Sequence, residues 1–139
     1  MPSIKEAFKV ATVFIPPLEV RILLSYVLGA DVVLKEGASL LIQKDFKKFI
    51  SLVKRRIKGE PIAYITGVRE FYGVEFAVSK DVLIPRPDTE LLVEKSLEII
   101  STHFPNSVKV ADVCTGSGAI VLTLARLIKY GDFEGVDIS

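Results

Sequence analysis

The 139-residue chain predicts an α/β fold in which helices come first and strands follow. Three observations carry that expectation. Apolar residues recur at helical spacing from Ile4 to about residue 58; the period then shortens to an alternation around Gly73; and from Val108 an apolar strand runs into a Gly-rich turn, a helix and a second strand that stops on an acid. Half of all residues are apolar, enough for a core.

Ile4, Ala7, Phe8, Ala11 and Phe14 predict a first helix that ends at the Pro16-Pro17 pair. Val20, Leu23, Leu24, Val27 and Leu28 predict a second, with Gly29 placed as its C-cap. A turn-rich passage through Gly37 follows, with room for one short helix near Ala38 to Ile42. Phe46, Phe49, Ile50, Val53 and Ile57 then mark a third helix, stopped by Gly59 before Pro61. Residues 1–58 therefore read as a small helical domain. Phe71, Val74, Phe76 and Val78 alternate about Gly73 as a β-hairpin within a linker of residues 59–86. From residue 87 a further domain begins. Asp88 is placed to cap a helix whose buried stripe is Leu92, Val93, Leu97 and Ile100, with Glu90 in its first turn.

Val108, Val110, Ala111 and Val113 form a β-branched run suited to a buried parallel strand, and Thr115-Gly116-Ser117-Gly118 turns the chain into the helix of residues 119–128. Glycine at 116 and 118 permits positive φ and lets a ligand approach the backbone at the helix start. Asp137, at the end of the next strand, lies 19 residues past Gly118, the spacing at which a strand-end carboxylate accepts hydrogen bonds from a ribose. The same pattern also fits a Gly turn in some other βαβ unit with Asp137 a solvated strand end. A third glycine under a pyrophosphate is missing, since Val121 stands three past Gly118, and a cofactor without phosphates is favoured over a dinucleotide.

Composition bounds the remainder. The formal net charge of +1 gives no reason to invoke nucleic acid or membrane, and a single cysteine rules out a disulfide framework. The N-terminus lacks a cationic region followed by a small-residue cleavage site, and no apolar run reaches a membrane span. The expectation is a soluble, cytoplasmic protein without a metal site, because His103 has no Cys, His or acid cluster around it.

Three further segments carry a resemblance. GEPIAYITG, REFYGVEF and LIPRPDTELLVE stand in that order ahead of ADVCTGSGAI and GVDIS, and over residues 55–139 the chain resembles the HemK/PrmC family, the protein-glutamine methyltransferases that modify peptide chain release factors. Residues 1–54 match it only in their helical character. The resemblance implies that residues 87–139 begin a class I (Rossmann-like) methyltransferase domain using S-adenosylmethionine, which has no phosphates. It implies that Cys114, Thr115, Gly116, Ser117 and Gly118 form the loop beneath the cofactor's methionine and ribose, that Asp137 binds the ribose hydroxyls, and that Asp112 holds the loop's amides or approaches the cofactor's ammonium. Pro85, Arg86, Pro87, Asp88 and Thr89 would border the active-site mouth, residues 1–58 would recognise substrate, and the partner would be a release factor.

Two departures accompany it. Cys114 stands where the family usually has glycine, and the family's Asn-Pro-Pro-Tyr motif, which holds the substrate glutamine, occurs nowhere in the 139 residues. The chain thus reads as the N-terminal portion of such an enzyme, expected to be inert alone. Rival readings are a nucleic-acid adenine-N6 methyltransferase, which the basic third helix favours and the IPRPDTE segment opposes, and a non-catalytic binding module. Lys44, Lys47, Lys48, Lys54, Arg55, Arg56 and Lys58 of that helix read either as a docking surface or as a solvated face. Phe71 and Tyr72 read as hairpin packing or as a stacking pair, and Arg86, held between two prolines, as a residue presented at little entropic cost.

Overall fold

The computed structural model describes residues 2–29 and 41–138, so the turn-rich passage and most of the short helix expected near Ala38 to Ile42 lie outside the described residues; Leu41 and Ile42 are not helical. The chain mixes helix and strand and divides into two compact units, Met1–Thr66 and Gly67–Ser139. Each is described by itself.

The first unit is helical. Helix α1 (Ile4–Ala11) starts on a capping box, in which the Glu6 amide donates to Ser3 Oγ at 3.2 Å and the Ser3 amide donates to Glu6 Oε2 at 2.8 Å. It ends at Ala11, earlier than the apolar spacing through Phe14 predicts. The Val13 and Phe14 amides tighten to the carbonyls of Val10 and Ala11, Phe14 is left exposed, and Ile15 takes the buried position. Pro17 opens α2 (Pro17–Leu28), where its missing N–H costs nothing, and Gly29 closes it at φ 68°. Helix α3 (Gln43–Ile57) lays Phe49, Leu52 and Val53 against Val20, Leu23 and Leu24 of α2. Arg56 donates through Nε and Nη2 to both carboxylate oxygens of Glu19 at 2.7 and 3.0 Å, and this pairing raises its guanidinium above the ordinary value against the opposing effect of burial.

The helical unit runs past residue 58 because of α4 (Ile62–Thr66), a short helix not foreseen from the sequence. Pro61 initiates it, with the Tyr64 and Ile65 amides both donating to the Pro61 carbonyl, and Ile65 is buried in the helical core. The boundary therefore falls at Thr66, eight residues later than helical periodicity alone places it.

The second unit opens with a hairpin of β1 (Val68–Phe71) and β2 (Val74–Ala77), paired Val68 to Ala77 and Phe71 to Val74. Tyr72 and Gly73 make the two-residue turn, both at positive φ (52° and 72°), as its twist demands. The segment is more than a connector: Phe71 and Phe76 meet edge to face at 6.1 Å and belong to one buried cluster with Val93, Ile100, Val108, Leu124 and Ile128. A 3₁₀ turn at Pro87–Thr89 leads into α5 (Glu90–His103). Asp88 lies inside this turn rather than capping the helix, because Pro87 begins the turn before Asp88 is reached, and Leu92 is exposed while Val93 and Ile100 are buried.

Strand β3 (Lys109–Val113) pairs in parallel with β4 (Asp132–Val136), and α6 (Ala119–Leu127) connects them and packs against both strands and α5. The run suited to a buried strand is half-covered here. Val110 and Asp112 are partly buried whereas Val113 is 71% exposed, because among the described residues helices pack against one face of the pair only. No helix of the described residues is long and apolar enough to cross a membrane.

Candidate functional site

The parallel pairing brings the ends of β3 and β4 side by side, with Val113 opposite Val136. Just beyond, the Cys114 and Thr115 amides both donate to the Val136 carbonyl, at 2.8 and 3.1 Å, which turns the chain sharply off the strand. That turn sets Cys114 at φ 64°, in the left-handed region that favours glycine, with its thiol exposed. Gly116 follows at φ 57° and Gly118 at φ 75°, the latter as the N-cap of α6, with its amide donating to the Thr115 carbonyl at 2.9 Å.

Two carboxylates fix the loop. Asp112 Oδ2 accepts from the Thr115 hydroxyl at 2.7 Å, a bond to a side chain of the loop. Asp137 Oδ2 accepts from the Gly116 amide at 2.7 Å. Asp112, Cys114, Thr115, Gly116, Gly118 and Asp137 are thus gathered at one end of the sheet. Ser117 is half-buried in the turn. A Cβ built on Gly116 would meet no protein atom within 4 Å, so the space in front of the loop is open.

Residues 85–89 form a separate feature. Pro85 and Thr89 are half-buried, Arg86, Pro87 and Asp88 are exposed, and the Thr89 amide donates to the Arg86 carbonyl at 3.0 Å. Their successor Glu90 reaches back to accept from the Tyr72 amide at 3.0 Å, which fastens the hairpin turn to the start of α5. Sequence reasoning did not single out that tie, nor Gly135. A Cβ at Gly135 would lie 2.9 Å from Thr115 Oγ1 and 3.2 Å from Thr115 Cβ and Cγ2. The available signal was a residue without a side chain two positions before the strand-end acid. Among the described residues no group of three or more His, Cys, Asp or Glu is placed to hold a metal ion.

Residues 3–67 match the family model of the PrmC N-terminal domain. The chain is also 41% identical over 128 residues to the release factor glutamine methyltransferase of Bradyrhizobium diazoefficiens, an alignment that takes in 88% of this chain and 42% of the relative. Residues 3–67 belong to the PrmC N-terminal domain family. The chain's identity to the release factor glutamine methyltransferase of Clostridium acetobutylicum is 47% over 121 residues (86% of this chain, 42% of the relative), and to that of Haemophilus influenzae 52% over 81 residues (56% and 28%). The chain spans less than half the length of each of these relatives. The PrmC N-terminal domain match stops at residue 67, where the helical unit gives way to the hairpin.

Proposed function

We propose that the protein transfers a methyl group from S-adenosylmethionine to the side-chain amide nitrogen of a glutamine in a peptide chain release factor. The observation that carries the reading is the hydrogen bond from the Gly116 amide to Asp137, which unites the Gly-rich turn and the strand-end acid in one site. The names of the relatives agree with it.

The residues present suit such a cofactor. Asp137 is an exposed carboxylate able to accept from ribose hydroxyls, the open space before Gly116 admits a ligand against the backbone, and the absence of a third glycine fits a group without pyrophosphate. S-adenosylmethionine supplies an electrophilic methyl group on a sulfonium. In this reading residues 87–139 open a class I, Rossmann-like methyltransferase domain, with Cys114 to Gly118 beneath the cofactor and Asp112 holding the loop through Thr115. Pro85 to Thr89 border the mouth of the site, and residues 1–58 recognise the substrate. An amide nitrogen is a poor nucleophile because its lone pair is delocalised, so the reaction depends on holding it in line with the methyl group; an Asn-Pro-Pro-Tyr segment able to do so is not among these 139 residues.

Calorimetric titration of the full-length protein with S-adenosylmethionine tests the reading. Asp137→Ala removes charge-assisted hydrogen bonds of about 1.5–3 kcal/mol each, so affinity should fall about tenfold or more. Unchanged affinity in that variant would remove Asp137 and its loop from the cofactor site.

A further inference from the structure

Helix α3 concentrates charge in a nearly neutral chain. Seven of the 18 Lys and Arg residues lie between Lys44 and Lys58, against one acid, Asp45, while the whole chain carries +1. The two arginines are already engaged: Arg56 with Glu19, and Arg55 with Glu60 through two hydrogen bonds of 2.7 Å. Lys48 sits over the Tyr26 ring at 5.0 Å. Lys44, Lys47, Lys54 and Lys58 remain. With Ser51 they follow a spacing of three, four, three and four residues, which puts them on one stripe of the helix, and all are exposed. Among the described residues no acid pairs with these four lysines. A merely solvated face usually interleaves both signs, and every exposed charged residue of α3 is a lysine.

Beside the stripe lies a shallow groove of about 340 Å³, lined by Phe46, Lys47, Ile50, Ser51 and Lys54. Its floor is apolar and its rim cationic. We infer that this face of α3 docks an acidic, amphipathic segment of a protein partner, with an aliphatic or aromatic side chain seated over Phe46 and Ile50 and carboxylates meeting Lys47 and Lys54. Those lysines are seven residues apart, about 10 Å along the helix, a separation matched by acids two turns apart on a partner helix. A nucleic acid fits less well. Phosphates would use the lysines but leave the apolar floor uncovered, Phe46 is half-buried against the helical core instead of standing out to stack, and both arginine forks are occupied. The inference goes beyond methyl transfer and does not depend on it.

The test is fluorescence anisotropy with the intact chain and three labelled probes: an amphipathic Leu/Glu/Ala peptide of about four helical turns, a control peptide of equal charge with every Leu changed to Ser, and an oligouridylate of similar length. The amphipathic peptide should bind most tightly, and its affinity should fall with salt and drop about tenfold or more in Lys47→Glu/Lys54→Glu. Ser51→Glu, which sets a carboxylate in the groove without touching the core, should weaken it likewise while the unfolding midpoint stays at the parent value. Equal binding of the Ser control would exclude the apolar seat. Equal binding by parent and charge-reversed chains, or preference for the oligouridylate, would overturn the proposal.

Discussion

Replacing Gly135 with alanine sets two physical effects of opposite sign against each other. Glycine in a strand costs roughly 0.5–1 kcal/mol relative to alanine through backbone entropy, so strand propensity alone expects Gly135→Ala to stabilise by that amount. The structure expects the reverse. The new Cβ would stand 2.9 Å from Thr115 Oγ1 and 3.2 Å from Thr115 Cβ and Cγ2, and Thr115 is poorly able to yield. It is β-branched and stiff about χ1, its hydroxyl is held by Asp112 at 2.7 Å, and its amide by the Val136 carbonyl at 3.1 Å. If Thr115 moves, a hydrogen bond to a charged acceptor worth about 1.5–3 kcal/mol is lost; if it stays, overpacking costs about 1–3 kcal/mol. These are alternatives, not additive terms, and against the entropic gain they leave a net destabilisation of roughly 0.5–2 kcal/mol. Urea unfolding of parent and variant, at unchanged m-value, reads this directly. In a Thr115→Ala background two of the three close contacts vanish, and Gly135→Ala should become neutral or stabilising, a coupling a double-mutant cycle resolves. An unfolding midpoint for the single variant equal to or above the parent's would refute the close-approach reasoning.

Cys114→Gly should stabilise the chain by roughly 0.5–1 kcal/mol: left-handed backbone costs a non-glycine residue about 1–2 kcal/mol, less about 0.4–1 kcal/mol of extra chain entropy; a midpoint below the parent's would show that the thiol is held by favourable contacts instead. Glu90→Ala should cost about 1.5–3 kcal/mol by leaving the half-buried Tyr72 amide without its charged acceptor, whereas Glu90→Gln keeps an acceptor and should lose about half as much, both read by denaturant midpoint. Backbone and hydroxyl hydrogen bonds from Ser3 hold the Glu6 carboxyl below its ordinary value of 4.5. Because its folded value is the lower one, its contribution to α1 is complete above the ordinary carboxylate range and is lost as pH falls through the folded value. Glu6→Gln should therefore flatten the acid limb of the helicity profile, and an unchanged limb would count against the capping box as its source.

Local chemistry made much of this chain readable from its residues. Gly29 and Gly59 stand as helix stops, the Tyr72-Gly73 turn lies at the centre of an alternating run, and the strand, Gly turn, helix and acid between Val108 and Asp137 are all set by neighbours within a few positions, which is why periodicity and turn chemistry expose them. Thr115 to Gly118 and the acid Asp137 could be named for the same reason. What a side chain meets across the fold has no such local signature. That Ile65 extends the helical core to Thr66, that the hairpin is part of the second unit's core through Phe71 and Phe76, and that Val113 is exposed were decided by packing between elements far apart in sequence. The same holds at the site: Asp112 bonds the Thr115 hydroxyl, Asp137 takes the Gly116 amide, and Gly135 must lack a side chain because Thr115 lies against it. The sequence by itself determined which residues supply the turn and the acid, because these are properties of residue type and spacing. Only the tertiary structure decided how they touch, because parallel strands joined through a helix bring together groups about twenty residues apart whose contacts depend on register and close packing.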